Sequence, residues 1–241
     1  MKIVEKDYRA FVKLLSLVGI PAPGVPKFYS YDGEYCSEKQ LKPSKRHLSA
    51  LIAYMATKEH SVTTVANTKR KDLYFPNVNT PNNRAITCQE ALAALEESYE
   101  TLSPSSRAWY VFEGFTSPDI FIEGDDYVVI CEGKWTESHI TVKTTSLSSE
   151  NEYRNQMIRH IQGALNHSNK KVYAFYIVDK DCGYETDLTK DAFAAQLELE
   201  TIKIPAFEKT RITEAFCGYT TWQNIKELIP NVDFKPKEEI I

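Results

Sequence analysis

Apolar residues recur at helical spacing over residues 4–18, where Tyr8, Phe11, Leu14, Leu15 and Val18 fall on one face. The PAPGVP stretch at 21–26 ends that helix, because proline lacks the amide donor and Gly24 loosens the backbone. Residues 29–35 read as irregular or strand-like. Ser44 is placed to cap a second helix running to about Thr57, with Leu48, Leu51, Ile52 and Met55 on one side. The polar, turn-rich stretch 67–85 marks a boundary, and a helix is predicted from Thr87 to about Leu102, with Pro104 beyond its end. The period then changes. Residues 108–113 (AWYVFE), 120–123 (IFIE) and 127–132 (YVVICE) are short aromatic and β-branched runs, the last two joined tightly by Gly124-Asp125-Asp126. A further extended run is predicted at 140–144, a helix at about 150–167, a strongly apolar strand at 172–178 and another strand at 197–204. The tail ends in one or two helices.

From residue 87 the order helix, three strands, helix, strand predicts an α+β fold with a mixed, mostly antiparallel sheet and one crossover helix. The chain has 241 residues, 42% of them apolar, which suits a generous domain with a smaller appendage. We divide it into a largely helical N-terminal region, 1–86, and a second region, 87–241. No apolar run approaches the roughly 18 residues of a membrane span. The first residues hold no signal-peptide core, so no membrane partner and a cytoplasmic location are expected. Five cysteines without a CxxC pair argue against a disulfide framework and a structural zinc site. The net charge of −4 hides an asymmetry: residues 1–86 carry 14 Lys+Arg against 7 Asp+Glu, and the rest carry 15 against 26. A basic front suits a polyanion, and an acidic back suits a divalent cation. Lys42, Lys45, Arg46 and His47 sit at the start of the second helix, where cations oppose the helix dipole; phosphate contact would explain them, as would plain solvation.

The chemistry concentrates in 117–135, SPDIFIEGDDYVVICEGKW. Asp119 stands where one strand of a hairpin begins, and Glu132 and Lys134 stand where the other ends. The turn therefore brings Asp119 beside them, and strand alternation points Glu132 and Lys134 to one side, Gly133 to the other. Two neighbouring carboxylates resist ionisation until a cation compensates. A hard divalent ion such as Mg²⁺ does so through oxygen ligands while accepting phosphate oxygens. Lys134 can then stabilise charge developing on phosphorus or help activate water.

Pro118-Asp119…Glu132-Gly133-Lys134 resembles the PD-(D/E)xK signature of the restriction-endonuclease-like nuclease superfamily, and the element order over roughly 87–180 resembles its αβββαβ core. A second acid-x-Lys triplet, Asp233-Phe-Lys235, follows no apolar strand and shows how often the bare triplet arises by chance. The resemblance implies that Asp119 and Glu132 ligate Mg²⁺ (Mn²⁺ substituting), that the Gly133 carbonyl completes the coordination, and that Lys134 is the catalytic lysine. It further implies a Gln or basic residue on the following helix facing the metal and a phosphate. Gln156 looks like that residue here, with Arg159 or His160 placed to grip the scissile backbone; a solvated helix face would explain the latter two equally. An acid on the first core helix commonly joins such sites. Of Glu90, Glu96, Glu97 and Glu100, Glu96 lies nearest the apolar stripe, and Glu113 competes with it.

The function expected is a Mg²⁺-dependent, restriction-like DNA endonuclease, with Lys42, Lys45 and Arg46 on DNA phosphates. Such nucleases often pair as homodimers to cut two strands, but no dimer surface is legible. The alternatives are a non-catalytic nucleic-acid-binding module that retains the fold, and a metal-dependent phosphoesterase acting on small substrates. Removing either acid is expected to leave folding intact or to raise stability.

Overall fold

A computed structural model describes residues 7–31, 38–57, 88–101, 115–134, 154–183 and 185–229. Its centre is strand β3 (Tyr127–Gly133), buried at every position but the last. On one side it pairs antiparallel with β2 (Ile120–Glu123) and on the other parallel with β4 (Lys171–Val178). Strand β1 (Phe28–Tyr31) adds antiparallel to β2, and β5 (Phe216–Thr221) adds parallel to β4, giving the order β1-β2-β3-β4-β5. The fold is α+β, with a mixed sheet of five strands among the described residues. Among the described residues two pairings are antiparallel and two parallel, so those pairings show no antiparallel majority. The parallel pairing that the sequence does not announce is that of β5, a segment whose sequence reads as part of a helical tail.

Alternation along β3 and β4 builds two cores, as period-2 side-chain placement requires. Val128 and Ile130, with Ala174, Tyr176 and Val178, join Phe121 under α4 (Gln156–His167) and α6 (Ala206–Ala215). Tyr127, Val129 and Cys131, with Phe175 and Ile177, face α1 (Tyr8–Ser16) and α7 (Trp222–Leu228). Helix α1 carries Phe11, Leu14 and Leu15 into this second core, so the basic N-terminal segment contributes both a strand and a helix to the sheet. Helix α2 (Lys45–Thr57) packs with α3 (Cys88–Ser98). The expected boundary at 67–85 and the strands expected at 108–113 and 140–144 lie outside the described residues.

The β2–β3 turn depends on glycine. A Cβ on Gly124 would collide with the Tyr127 ring, which its hydroxyl pins to the Gly24 carbonyl at 2.8 Å. The strand expected at 197–204 is instead the end of helix α5 (Lys190–Leu199) and an irregular segment after it. Phe193 and Leu197, four apart, bury one helical face, and the Thr189 hydroxyl caps the helix by accepting from the Ala192 N–H at 3.2 Å. Ile202 and Ile204 are buried without strand partners among the described residues. Helix α4 begins at Gln156, where the Asn155 side chain accepts from the Ile158 N–H at 3.1 Å. Among the described residues, no helix is long and apolar enough to cross a membrane.

Candidate active site

The β2–β3 register pairs Ile120 with Cys131, so the antiparallel ladder carried one step further sets Asp119 opposite Glu132. The Gly133 N–H donates to Asp119 Oδ2 at 2.7 Å, tying the first acid to the strand that carries the second. Glu132, 3% exposed, shares the face of β3 that carries Val128 and Ile130 and lies under α4. There Lys134 Nζ donates to its Oε1 at 2.8 Å and Gln156 Nε2 to the same oxygen at 2.6 Å. Lys134 Nζ also donates to Gln156 Oε1 at 3.0 Å, closing a triangle of three side chains. His160, one helical turn beyond Gln156, places Nε2 3.1 Å from Glu132 Oε2, while its Nδ1 lies 2.6 Å from Thr116 Oγ1.

The backbone of this strand end is fixed from both sides. The Lys134 N–H donates to the Ile177 carbonyl of β4 at 2.7 Å, and Trp222 Nε1 of α7 donates to the Lys134 carbonyl at 3.1 Å. A Cβ on Gly133 would meet Trp222 at 3.1 Å and Asp119 Oδ2 at 3.4 Å, so a residue without a side chain lets the two approach.

The two carboxyls are tuned in opposite directions. Burial, and then the charge of Glu132, raise Asp119 above the ordinary aspartate value, against weaker opposition from the Gly133 N–H and Lys134. Burial alone would raise Glu132 too, but the hydrogen bond and charge of His160, together with Lys134, outweigh it and hold that carboxyl below the ordinary value. One acid is thus kept ionised, and its neighbour bears the repulsion.

A carboxylate offers about four lone-pair sites. Among the described residues, Glu132 gives up three, to Lys134, Gln156 and His160, whereas Asp119 gives up one, to Gly133. Asp119 is therefore the acid with oxygen capacity to spare and with charge for a cation to relieve. Two neighbouring carboxylates supply the kind of oxygen donors that a hard divalent ion takes. Among the described residues, no group of three or more His, Cys, Asp or Glu side chains converges as a ready-made metal cluster.

The structure brings together Asp119, Glu132, Gly133, Lys134, Gln156 and His160. It gives His160 a different place from the one expected. At 1% exposure the imidazole holds a carboxylate from inside the core and does not stand at a surface where a phosphate backbone would lie. Arg159 is half-buried on the same helix. Glu96 lies on α3 and gives its exposed carboxylate to Lys45 at 2.6 Å, so the acid expected from that helix is paired with α2. Glu97 and Glu100 are exposed, and Glu113 lies outside the described residues. Lys42 donates to the Tyr99 carbonyl at 2.9 Å with its ammonium 4.3 Å from the Tyr99 ring centre, and Arg46 pairs with Glu208. Each expected phosphate contact on α2 or just before it thus has an acceptor within the protein. Thr116 and Trp222 join the site without having been legible in the sequence. Neither carries a local signal, since their partners lie 44 and 88 residues away in the chain.

No family model matches the chain, and no curated protein or solved structure matches it significantly.

Proposed function

We propose that the protein is a Mg²⁺-dependent DNA endonuclease of the PD-(D/E)xK kind, with Asp119, Glu132, Lys134 and Gln156 as its catalytic set. The observation that supports this reading best is the joining of Glu132, Lys134 and Gln156 into one hydrogen-bonded triangle at a strand end, with Asp119 tied beside it. A hairpin with an ordinary surface ion pair would not bury its lysine to 9% exposure or supply a glutamine from a separate helix. Asp119 and Glu132, with the Gly133 carbonyl, would hold Mg²⁺, which supplies a Lewis acid for a phosphodiester oxygen and a more acidic water. Lys134 contributes a fixed positive charge next to that position, where a pentacovalent phosphorus gains negative charge. Gln156 holds the ammonium and the carboxylate in one geometry, and His160 keeps Glu132 ionised and immobile.

Cleavage of supercoiled plasmid tests the reading. Activity should appear with Mg²⁺ or Mn²⁺, vanish with chelator and be lost in Lys134→Ala; full activity in that variant would sink the assignment. A second reading, a phosphoesterase on small substrates, is favoured by the internal pairing of Lys42, Lys45 and Arg46. It predicts metal-dependent turnover of an activated phosphodiester such as bis-p-nitrophenyl phosphate without salt-sensitive DNA binding. Wild-type protein that binds DNA and cleaves neither substrate would identify a binding module.

A further inference from the structure

Ahead of Gln156 lies a second polar cluster, buried deeper than the first. Arg154 and Glu200 are 2% and 1% exposed, and Arg154 Nη1 donates to Glu200 Oε2 at 2.5 Å. Arg154 Nη2 donates to Gln162 Oε1 at 2.6 Å, and Gln162 Nε2 donates on to Glu208 Oε1 of α6 at 2.7 Å. The other Glu200 oxygen accepts the Asn155 N–H at 2.6 Å, while Asn155 Nδ2 donates to Gln196 Oε1 of α5 at 2.6 Å. The two residues immediately before Gln156 are thereby clamped to α5 directly and to α6 through Gln162.

We infer that the Arg154–Glu200 pair is a positioning device for the candidate site, fixing where α4 starts so that Gln156 meets Lys134 and Glu132. Net stability is a poor explanation of the pair, because a buried ion pair commonly does no better than apolar residues of the same volume. Its directionality is what packing cannot supply. Met157, Ile158, Ile161 and Ala164 bury α4 against the sheet, but apolar burial is non-directional and tolerates sliding along the helix axis. A guanidinium held on Nη1 by the Glu200 carboxylate and on Nη2 by Gln162, with the same carboxylate taking the next backbone N–H, sets both the axial position and the rotation of the first turn. The Gln156 bonds of 2.6 and 3.0 Å leave little room, since a displacement of about 1 Å takes either beyond useful hydrogen-bond distance.

The effect on cleavage rests on the nuclease reading; the effect on Gln156 does not. In Arg154→Gln/Glu200→Gln both charges are removed while residue 200 keeps an acceptor for the Asn155 N–H. Should that variant fail to fold, Arg154→Lys keeps the charge and loses the fork. The direct readout is hydrogen exchange of the Gln156 side-chain amide by NMR, its signal identified by its loss in Gln156→Ala. We expect protection to fall at least about tenfold as the first turn of α4 opens more readily. We expect kcat for plasmid cleavage to fall roughly 10- to 100-fold with KM for DNA unchanged, as for a misplaced catalytic group. Adding Gln156→Ala should then cost nothing further, because both changes act through one side chain. Wild-type amide protection in a folded variant would overturn the inference, as would losses that multiply with Gln156→Ala. A wild-type protein that cleaves nothing removes the nuclease reading and leaves the exchange measurement to decide on the clamp.

Discussion

His160 holds Glu132 from within the protein: its Nε2 lies 3.1 Å from Glu132 Oε2, and both residues are almost wholly enclosed. A carboxylate at 3% exposure keeps its charge only while donors replace the water it has lost. His160→Ala removes one of those donors and leaves Thr116 without its ring partner, so we expect a loss of about 1–3 kcal/mol in urea melts. His160→Gln, whose amide can still donate, should recover part of it. In the alanine variant an NMR titration should show the Glu132 carboxyl shifted upward, because its strongest lowering influence is gone. An unmoved titration would show that His160 does not tune Glu132.

The opposed shifts of the two acids give opposite stability signs. Glu132 is depressed in the folded state, so it contributes stability above its unfolded value, and that contribution is lost as pH falls through the folded one. Asp119 is raised, so its penalty is present above its folded value and disappears as pH falls below the ordinary aspartate range. Asp119→Asn should therefore raise stability at neutral pH and remove one acid-range inflection from the stability–pH curve. Glu132→Ala should lower stability instead, and it removes the acid-range inflection of Glu132 itself. It strands a buried lysine and an imidazole, a loss of about 3–5 kcal/mol for breaking an enclosed pair. The sequence alone suggests equal tolerance of both removals; the structure separates them, because among the described residues Lys134, Gln156 and His160 donate to Glu132 and the Gly133 N–H alone donates to Asp119.

The site was legible where the chain is local. The 120–123 and 127–132 runs with Gly124-Asp125-Asp126 between them specify a hairpin, and a hairpin of that length sets Asp119 against Glu132. Gln156 and His160 four apart were also readable as one helix face, but not what His160 faces. Thr116 reaches it through a short antiparallel bridge to Leu41, which no local pattern announces. Strand β5 was missed for a related reason. Its pairing of Phe216 with Ala174 is distant in sequence, and helices directly abut both its ends, so the 216–221 run lacks the turn residues that normally delimit a strand. At 197–204 the difference runs the other way: the expected strand begins at Leu197, which belongs with Phe193 to a helical period.

Gly133 offers a test of how closely the strand end is packed. A methyl group there meets the Trp222 ring, which is held by its bond to the Lys134 carbonyl, and a carboxylate oxygen of Asp119. Gly133→Ala should cost about 1–3 kcal/mol as overpacking and displace Asp119 from the Gly133 N–H. Gly24→Ala is the control, since a methyl group at that position would have nothing within 4 Å, and it should be neutral or stabilising by up to about 1 kcal/mol. Equal effects in thermal denaturation would show that the close approach at Gly133 is not a constraint.

Lys45 decides whether the basic segment meets DNA. Its bond to Glu96 at 2.6 Å joins a partly exposed ammonium to an exposed carboxylate, an arrangement worth roughly 0–1 kcal/mol, so exchanging that carboxylate for a phosphate costs little. Arg46 is less free, because its partner Glu208 is mostly enclosed and also accepts from Gln162. We therefore expect Lys45→Ala to change stability by less than about 1 kcal/mol and to reduce the slope of log affinity against log salt by about one, the loss of a single phosphate contact. Glu96→Gln should strengthen binding by releasing the ammonium, whereas Arg46→Ala should lower stability through the α2–α6 contact before its effect on DNA is seen. A salt slope identical in wild type and Lys45→Ala would take Lys45 out of the interface and shift weight to the small-substrate phosphoesterase.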